Sequence, residues 1–173
     1  MKSIILCVCV AACLAGVSSA QVGKGSESRP NLSGTWALDK SKSNYGEARG
    51  SDFSKADSTL VIEHRGSELR IEKTVVLKGQ RETKQYAYYT DGRGELNPMA
   101  YGPGEVESKT EWDGNKVKTY THVGRGNQKW GLSLATEQQW RLSDDGRTLT
   151  HTTNSANPEG GAQVTKLVYR RVG

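Results

Sequence analysis

The chain has 173 residues and a formal net charge of +5 at pH 7, with 24 lysines and arginines against 19 aspartates and glutamates. A basic chain raises the question of a nucleic-acid partner, but residues of both signs are mixed along almost every predicted strand. We therefore interpret the charge as a solvated surface and expect no nucleic-acid binding, with a polyanion site as the alternative.

Residues 1–20 have the three parts of a secretory signal peptide. Lys2 supplies the positive start, residues 4–15 form an apolar run, and small residues end at a cleavage site after Ala20. The run is shorter than the roughly 20 residues that cross a bilayer, so an uncleaved membrane anchor is the weaker interpretation. Lipidation at Cys13 is a further alternative. We expect a secreted or periplasmic protein with no integral membrane segment after cleavage.

The cysteines are Cys7, Cys9 and Cys13, and all three lie within the predicted signal peptide. Their removal excludes disulfides, thiol catalysis and cysteine metal sites from the mature chain. Residues 21–173 are long enough for a hydrophobic core to stabilise one domain without disulfides. We expect this domain to be a monomer.

Residues 21–30 are polar, contain glycine and lack periodicity, so they predict a disordered lead-in. Residues 31–173 form the predicted domain, in which apolar residues recur with a period of two, as in strands. The shared faces of the first three strands are Leu32, Trp36 and Leu38; Leu60, Ile62 and His64; and Leu69, Ile71, Val75 and Leu77.

The clearest alternation lies in residues 105–123. Charged residues occupy every second position of 105–111, and Lys116 and Lys118 begin the same pattern on the next segment. Only a strand places such residues on one face. Asp113-Gly114-Asn115 is a strong hairpin turn, because glycine tolerates positive φ. The segment therefore predicts a hairpin with lysines opposite glutamates.

Glycine-containing turns at 66–67, 91–92 and 144–146 separate further predicted strands. Strands joined by tight turns pair in sequence order, and closing the sheet removes its exposed edges. We predict an all-β fold, an antiparallel up-and-down β-barrel of about 8–10 strands, with an open sandwich as the alternative. One connection, 39–57, is long, and Asp39 is suited to cap a helical turn within it.

Gly34-x-Trp36 on the first predicted strand resembles the opening of the calycin superfamily, which includes lipocalins, fatty-acid-binding proteins and avidins. The resemblance implies a barrel with Trp36 at its closed end and a basic residue of the last strand, Arg170, across the indole. It also implies that the loop 39–57 folds over the barrel mouth.

The whole mature chain is similar to a family of exported bacterial lipocalin-like proteins, which has no established common activity. The shared features are Ser33-Gly34-Thr35-Trp36, Lys40-Ser41, Tyr88 to Gly92, Trp112-Asp113-Gly114, and Leu142 to Leu149. The similarity implies the calycin fold and no specific chemistry.

Inward aromatic residues next to inward hydroxyls are typical of a ligand cavity with apolar walls and a few polar groups. The alternative is a packed core whose hydroxyls bond to the backbone. Trp36 and Trp130 are also expected to point inward, Trp36 as a structural residue of the barrel base with Arg170. The candidate cavity residues are Trp112, Trp140, Tyr86, Tyr88, Thr119 and Thr121.

Motifs for catalysis or cofactor binding are missing from the sequence. His64, His122 and His151 lie on three different predicted strands without metal-ligand spacing, and no nucleophile elbow or phosphate loop is present. We expect neither an enzyme nor a metal or cofactor site.

Two functions remain open. The first is an extracytoplasmic binding protein that holds a small, partly hydrophobic ligand inside the barrel. The second is a protein-interaction module, such as a protease inhibitor or an envelope scaffold, with a packed barrel and an available N-terminal segment 21–30.

Overall fold

The computed structural model describes residues 29–46, 51–100, 103–123, 134–156 and 162–173, without the side chains of residues 122, 123, 134, 135 and 162. The predicted signal peptide, residues 21–28 of the lead-in and Trp130 lie outside the described residues. Within these ranges no helix has the length and apolar character needed to cross a membrane.

The described residues form ten strands and two short helical segments, a 3-10 turn at Lys40–Lys42 and the helix α1 at Asp52–Lys55. The strands are β1 Gly34–Leu38, β2 Asp57–Arg65, β3 Glu68–Leu77, β4 Gln80–Tyr89, β5 Glu95–Pro98, β6 Glu105–Asp113, β7 Lys116–Val123, β8 Leu134–Leu142, β9 Thr148–Ala156 and β10 Ala162–Arg171.

All ten strands belong to one antiparallel sheet, in the order β4-β3-β2-β1-β10-β9-β8-β7-β6-β5. Sequential neighbours pair through short turns, and the pairing of β1 with β10 joins the two ends of the chain. The sheet curls until its outer strands, β4 and β5, face each other. The predicted all-β up-and-down barrel is therefore confirmed, as a nearly closed barrel.

The β6–β7 hairpin has the predicted turn and register. Glu111 lies opposite Lys118, and Gly114 adopts a φ of 59° in the turn. The ion pair of Lys118 is made with Asp113 instead, at 2.8 Å. Alternation of charge therefore fixed which residues face solvent, while the ion pair formed diagonally.

The seam between β4 and β5 is closed by side chains where a backbone ladder would normally run. The Asn97 amide accepts a hydrogen bond from Ala87 N and donates one to Ala87 O, both at 2.8 Å. A second bridge of the same kind lies nearby, since Tyr89 N donates to Glu95 Oε2 at 3.1 Å. An amide side chain carries the donor and acceptor of a peptide group, so Asn97 substitutes for a strand residue.

Trp36 fills the closed end of the barrel and is fully buried. Its Nε1 donates to Leu32 O at 3.1 Å, and the guanidinium carbon of Arg171 lies 4.3 Å from the indole centroid. The prediction of Arg170 across this ring was wrong, because Arg170 is exposed and Arg171 lies with Tyr169 on the inward face of β10. Gly34 is required beside them, since its φ is 144° and a Cβ there would lie 2.5 Å from Arg171 Nη1.

Arg171→Met is expected to lower the free energy of unfolding by about 1–2 kcal/mol, because it removes the contact with the indole and two hydrogen bonds to backbone carbonyls. The matched control is Arg170→Met, an exposed neighbour that should change stability by less than about 0.5 kcal/mol. Urea denaturation of both variants measures the difference. Equal effects of the two substitutions would contradict this role for Arg171.

Candidate functional site

The closed half of the barrel is a packed core. Its largest buried side chains contact one another directly and include Trp36, Leu60, Leu69, Val117, Leu149 and Tyr169. Such a core contributes stability and leaves no room for a ligand at this level. A binding site inside the barrel must therefore lie toward the other end, under the long connection between β1 and β2.

Thr119 belongs to a structural hydrogen-bond network. Its hydroxyl is fully buried and lies 2.8 Å from the Thr110 hydroxyl. Thr110 and Ser108 both donate to Glu95 Oε1 at 2.7 Å. These inward hydroxyls are thus satisfied by side chains that support the seam, which assigns Thr119 to the core. Thr121, the next inward residue of β7, is half-buried and lies opposite Ser108.

Trp112 lies at the turn end of β6 and stays partly exposed. Its ring is 5.7 Å from the His64 ring and 5.7 Å from the guanidinium carbon of Arg29. His64 Nδ1 accepts a 3.4 Å hydrogen bond from Leu32 N, and burial lowers the pKa of His64. Trp112 therefore packs against the start of the domain and does not line the space beneath the long connection.

Trp140 and His151 form a stacked pair inside the barrel. Their ring centroids are 3.8 Å apart with planes tilted by 14°. His151 Nε2 lies 3.1 Å from Gln138 Oε1, whereas Trp140 Nε1 is buried without a hydrogen-bond partner. Burial, assisted by the charge of Lys73, lowers the pKa of His151 to about 3. The imidazole is therefore neutral at physiological pH.

Tyr86 and Tyr88 share the inward face of β4. Their rings are parallel within 4° at a centroid distance of 6.2 Å. Tyr88 is buried, Tyr86 is half-buried, and burial raises the pKa of both phenols. Tyr89 faces outward, with the Arg93 guanidinium carbon 4.7 Å from its ring centre.

The long connection forms a cover that we call the lid, residues 39–46 and 51–56. Asp39 accepts from Ser41 N and caps the 3-10 turn, as the sequence indicated. The first part of the lid pairs with β10, because Asn44 and Lys166 exchange two backbone hydrogen bonds of 2.7 Å. The second part, α1, is held to the β3–β4 turn by an ion pair of 2.6 Å between Asp52 and Lys78.

A small void of about 10 Å³ lies beneath the lid, which is room for about one water molecule. Its lining is mostly apolar and also includes Ser58, Lys73 and two tyrosines. Ser58 Oγ is buried without a hydrogen-bond partner. The walls of the void include Tyr45, Phe53, Leu167 and Tyr169.

Lys73 is the site residue that the sequence interpretation missed. In β3 the inward phase runs through Leu69, Ile71, Lys73 and Val75, opposite Tyr88, Tyr86, Lys84 and Glu82 of β4. The alternation itself contained the signal, because position 73 falls on the apolar face of a strand whose charged residues otherwise point outward. A lysine on an otherwise apolar face breaks the pattern, and its ammonium group needs a hydrogen-bond acceptor or a counter-ion.

A larger groove of about 420 Å³ lies on the outside of the barrel, over β2 to β5. Two exposed apolar residues, Val61 and Leu96, line it, with Glu63, Arg70 and Glu72 at its rim. Of the six predicted cavity residues, only Tyr86 borders this groove. Neither concave region brings all six together.

No protein-family profile and no curated protein matches the sequence. Solved structures share its fold. A secretary abundant heat soluble protein from Ramazzottius varieornatus matches with a TM-score of 0.56 and 15% identity, over 85% of this chain and 100% of that chain. Human cRBP IV matches with a TM-score of 0.55 and 19% identity over 83% of this chain and 99% of that chain, and zebrafish ileal bile acid-binding protein complexed with cholic acid matches with a TM-score of 0.53 and 15% identity over 82% and 98% of the two chains. These neighbours are barrels of the lipocalin and fatty-acid-binding type. The chain is therefore an all-β protein with the calycin fold.

Proposed function

We propose that the protein is an extracytoplasmic binding protein that holds a small, partly hydrophobic ligand inside the barrel, beneath the lid. The observation that carries the proposal is a buried polar atom without a partner at the mostly apolar void beneath the lid, Ser58 Oγ. Leaving such a group unpaired costs about 1–3 kcal/mol. A bound molecule with hydrogen-bonding atoms next to an apolar body would compensate this cost.

Two structures of the same fold support the proposal through the ligands bound in them. One is a bile acid-binding protein complexed with cholic acid, and another, at 13% identity, is a Schistosoma mansoni fatty acid binding protein in complex with arachidonic acid. The signal peptide predicted from residues 1–20 supports the extracytoplasmic location.

Binding requires the lid to move, because the void of about 10 Å³ is far smaller than an organic ligand. The lid is anchored unequally. Its first part is paired with β10 through backbone hydrogen bonds, whereas α1 is joined to the β3–β4 turn by the exposed side chains of Asp52 and Lys78. We infer that α1 and Phe53 swing outward and that Tyr45 stays in place.

A hydrophobic fluorophore tests the function. The purified protein should bind it saturably, with a change in tryptophan emission because Trp140 lies inside the barrel. A second small apolar compound should displace it. Absence of saturable binding over the soluble range of the fluorophore would contradict the proposed function.

The alternative function, a protein-interaction module, is favoured by one specific observation. The outer groove exposes Leu96 and Val61, 57% and 42% accessible, on a barrel whose closed half is packed. Exposed apolar patches often mark contact sites. If the fluorophore fails to bind, cross-linking of the folded protein to a partner through residues of this groove would support the interaction module.

Asp52→Asn is expected to raise the association rate of the fluorophore several-fold while leaving urea stability nearly unchanged, because exposed ion pairs contribute little to folding. Stopped-flow mixing measures the rate. Glu63→Gln is the matched control, since it breaks an exposed ion pair with Arg65 on the outer face. Identical rates in wild type, Asp52→Asn and Glu63→Gln would show that α1 does not control access.

A further inference from the structure

Lys73 is an inward-facing lysine without a directly bonded counter-ion among the described residues. It lies on β3 between Leu60 of β2 and Lys84 of β4 in the register, and its side chain faces the void beneath the lid. No hydrogen bond or ion pair of Lys73 is present among the described residues. Burial lowers the pKa of Lys73, the neighbouring charge of Lys84 lowers it further, and the charge of Glu82 opposes both effects without cancelling them.

The other ionisable groups facing Lys73 are already engaged or neutral. Glu82 forms an ion pair of 3.2 Å with Lys84, whose Nζ also donates to Met99 O at 3.1 Å. His151, on β9, has its pKa lowered to about 3. It is therefore neutral at physiological pH and cannot act as a counter-ion for the amine. The interior therefore has one excess positive charge on this level.

An isolated ammonium in an apolar setting is unfavourable unless it gains a counter-charge. The polar group beside it, the hydroxyl of Ser58, is buried and also lacks a partner. Both groups can donate hydrogen bonds, and no carboxylate of the described residues lines the void. Two donors without a carboxylate beside them favour a ligand group that accepts hydrogen bonds and carries a negative charge.

We propose that Lys73 and Ser58 form a carboxylate subsite, so that the ligand is an apolar molecule ending in a single carboxylic acid. The charge balance decides between anions: the single excess positive charge on this level matches one carboxylate, whereas a phosphate group carries about −1.5 to −2 charges at pH 7. The apolar body then lies along Tyr45 and Leu167, which stay in place when α1 moves. This subsite rests on the proposed function.

Dodecanoic acid and dodecanol test the subsite, because they share an alkyl chain and differ in the charged end. Fluorophore displacement from the full-length protein at pH 7 should show the acid binding about tenfold or more tightly than the alcohol. In Lys73→Met this preference should fall to about onefold, mainly through loss of acid binding. Lys109→Met, on the exposed face of β6, is the matched control and should keep the preference.

The possible outcomes separate the subsite from the binding function. If the acid and alcohol bind equally well to the wild type, or if folded Lys73→Met keeps the preference, the carboxylate subsite is overturned and the binding function stands. If neither compound binds, the proposed function fails and the subsite fails with it. Circular dichroism establishes that Lys73→Met is folded.

A second measurement needs no variant. Dodecanoic acid labelled with ¹³C at the carboxyl carbon reports its ionisation by NMR, and a neighbouring ammonium stabilises the carboxylate. The bound acid should therefore stay ionised at a lower pH than the same acid in neutral detergent micelles. A bound carboxyl group that titrates at or above the micellar pH would overturn the subsite.

Discussion

Replacing His151 by asparagine is expected to remove most of the loss of stability that the protein suffers between pH 7 and pH 5. In the folded protein the pKa of His151 is lowered to about 3, first by burial and then by the charge of Lys73. In the unfolded chain the pKa returns to about 6.5. Over this interval the unfolded state binds a proton that the folded state excludes.

The sign follows from linkage between protonation and folding. Because the unfolded state holds more protons below pH 6.5, the free energy of unfolding falls as the pH falls, by up to about 1.4 kcal/mol per pH unit for one histidine. At pH 5 the loss is about 2 kcal/mol. The effect of His151 continues down to its folded pKa of about 3.

Urea denaturation at pH 7, 6 and 5 measures this slope. His151→Asn loses the stacking on Trp140 and so has lower stability at pH 7, but its slope with pH should be shallower than that of the wild type. His64→Asn is the comparison: burial lowers the pKa of His64 in the same direction but less far, so its slope should stay closer to that of the wild type. A slope in His151→Asn as steep as in the wild type would show that His151 is protonated in the folded barrel.

The barrel was predictable because its information is local. Alternating charges in 105–123 define two faces, and Gly114 fixes the turn between them. Alternation along β3 and β10 also indicates two inward-facing residues that the sequence prediction did not include. Arg171 lies on the same face of its strand as Tyr169, and Lys73 lies on the same face as Ile71. Counting positions along each strand would have identified both residues.

The arrangement of the site was not predictable, because it depends on the height of each side chain in the barrel. Trp112 and Trp140 both face inward, one on either side of Val117 in the register. Yet Trp112 packs against His64 at the turn end, and Trp140 stacks on His151. The tilt and stagger of the strands decide which side chain each tryptophan contacts, and neither can be predicted from the sequence of a single strand.

The strand β5 escaped prediction for a related reason. It has only four residues and ends at Pro98, and proline is typical of strand edges. Its attachment to β4 uses the side chain of Asn97 where a backbone ladder would give a periodic pattern. A contact made by one amide leaves no signal in hydrophobic periodicity.

Asn97→Ala is therefore expected to open the seam and to lower the free energy of unfolding by about 2–4 kcal/mol. The substitution leaves both Ala87 N and Ala87 O without their partners. Each of these groups that stays buried and unpaired lowers the free energy of unfolding by about 1–3 kcal/mol. Leu96→Ala is the matched control, because its side chain is 57% accessible and makes no bridge across the seam.

Urea denaturation measures the loss, and hydrogen exchange locates it. The Ala87 amide should exchange much faster in Asn97→Ala than in Leu96→Ala, while amides of β9 and β10 follow global unfolding. Unchanged protection at Ala87 would show that the backbone closes the seam without Asn97.

The same variant separates two routes into the barrel. If α1 controls access, Asp52→Asn accelerates association of the fluorophore and Asn97→Ala has little effect on the rate. If the ligand passes between β4 and β5, the order reverses, because the Asn97 bridge closes that gap while the Asp52–Lys78 pair holds only the lid. We expect the first result, since the void lies directly beneath Phe53 and Ala56 and the seam opens onto the packed network of Glu95, Ser108 and Thr110.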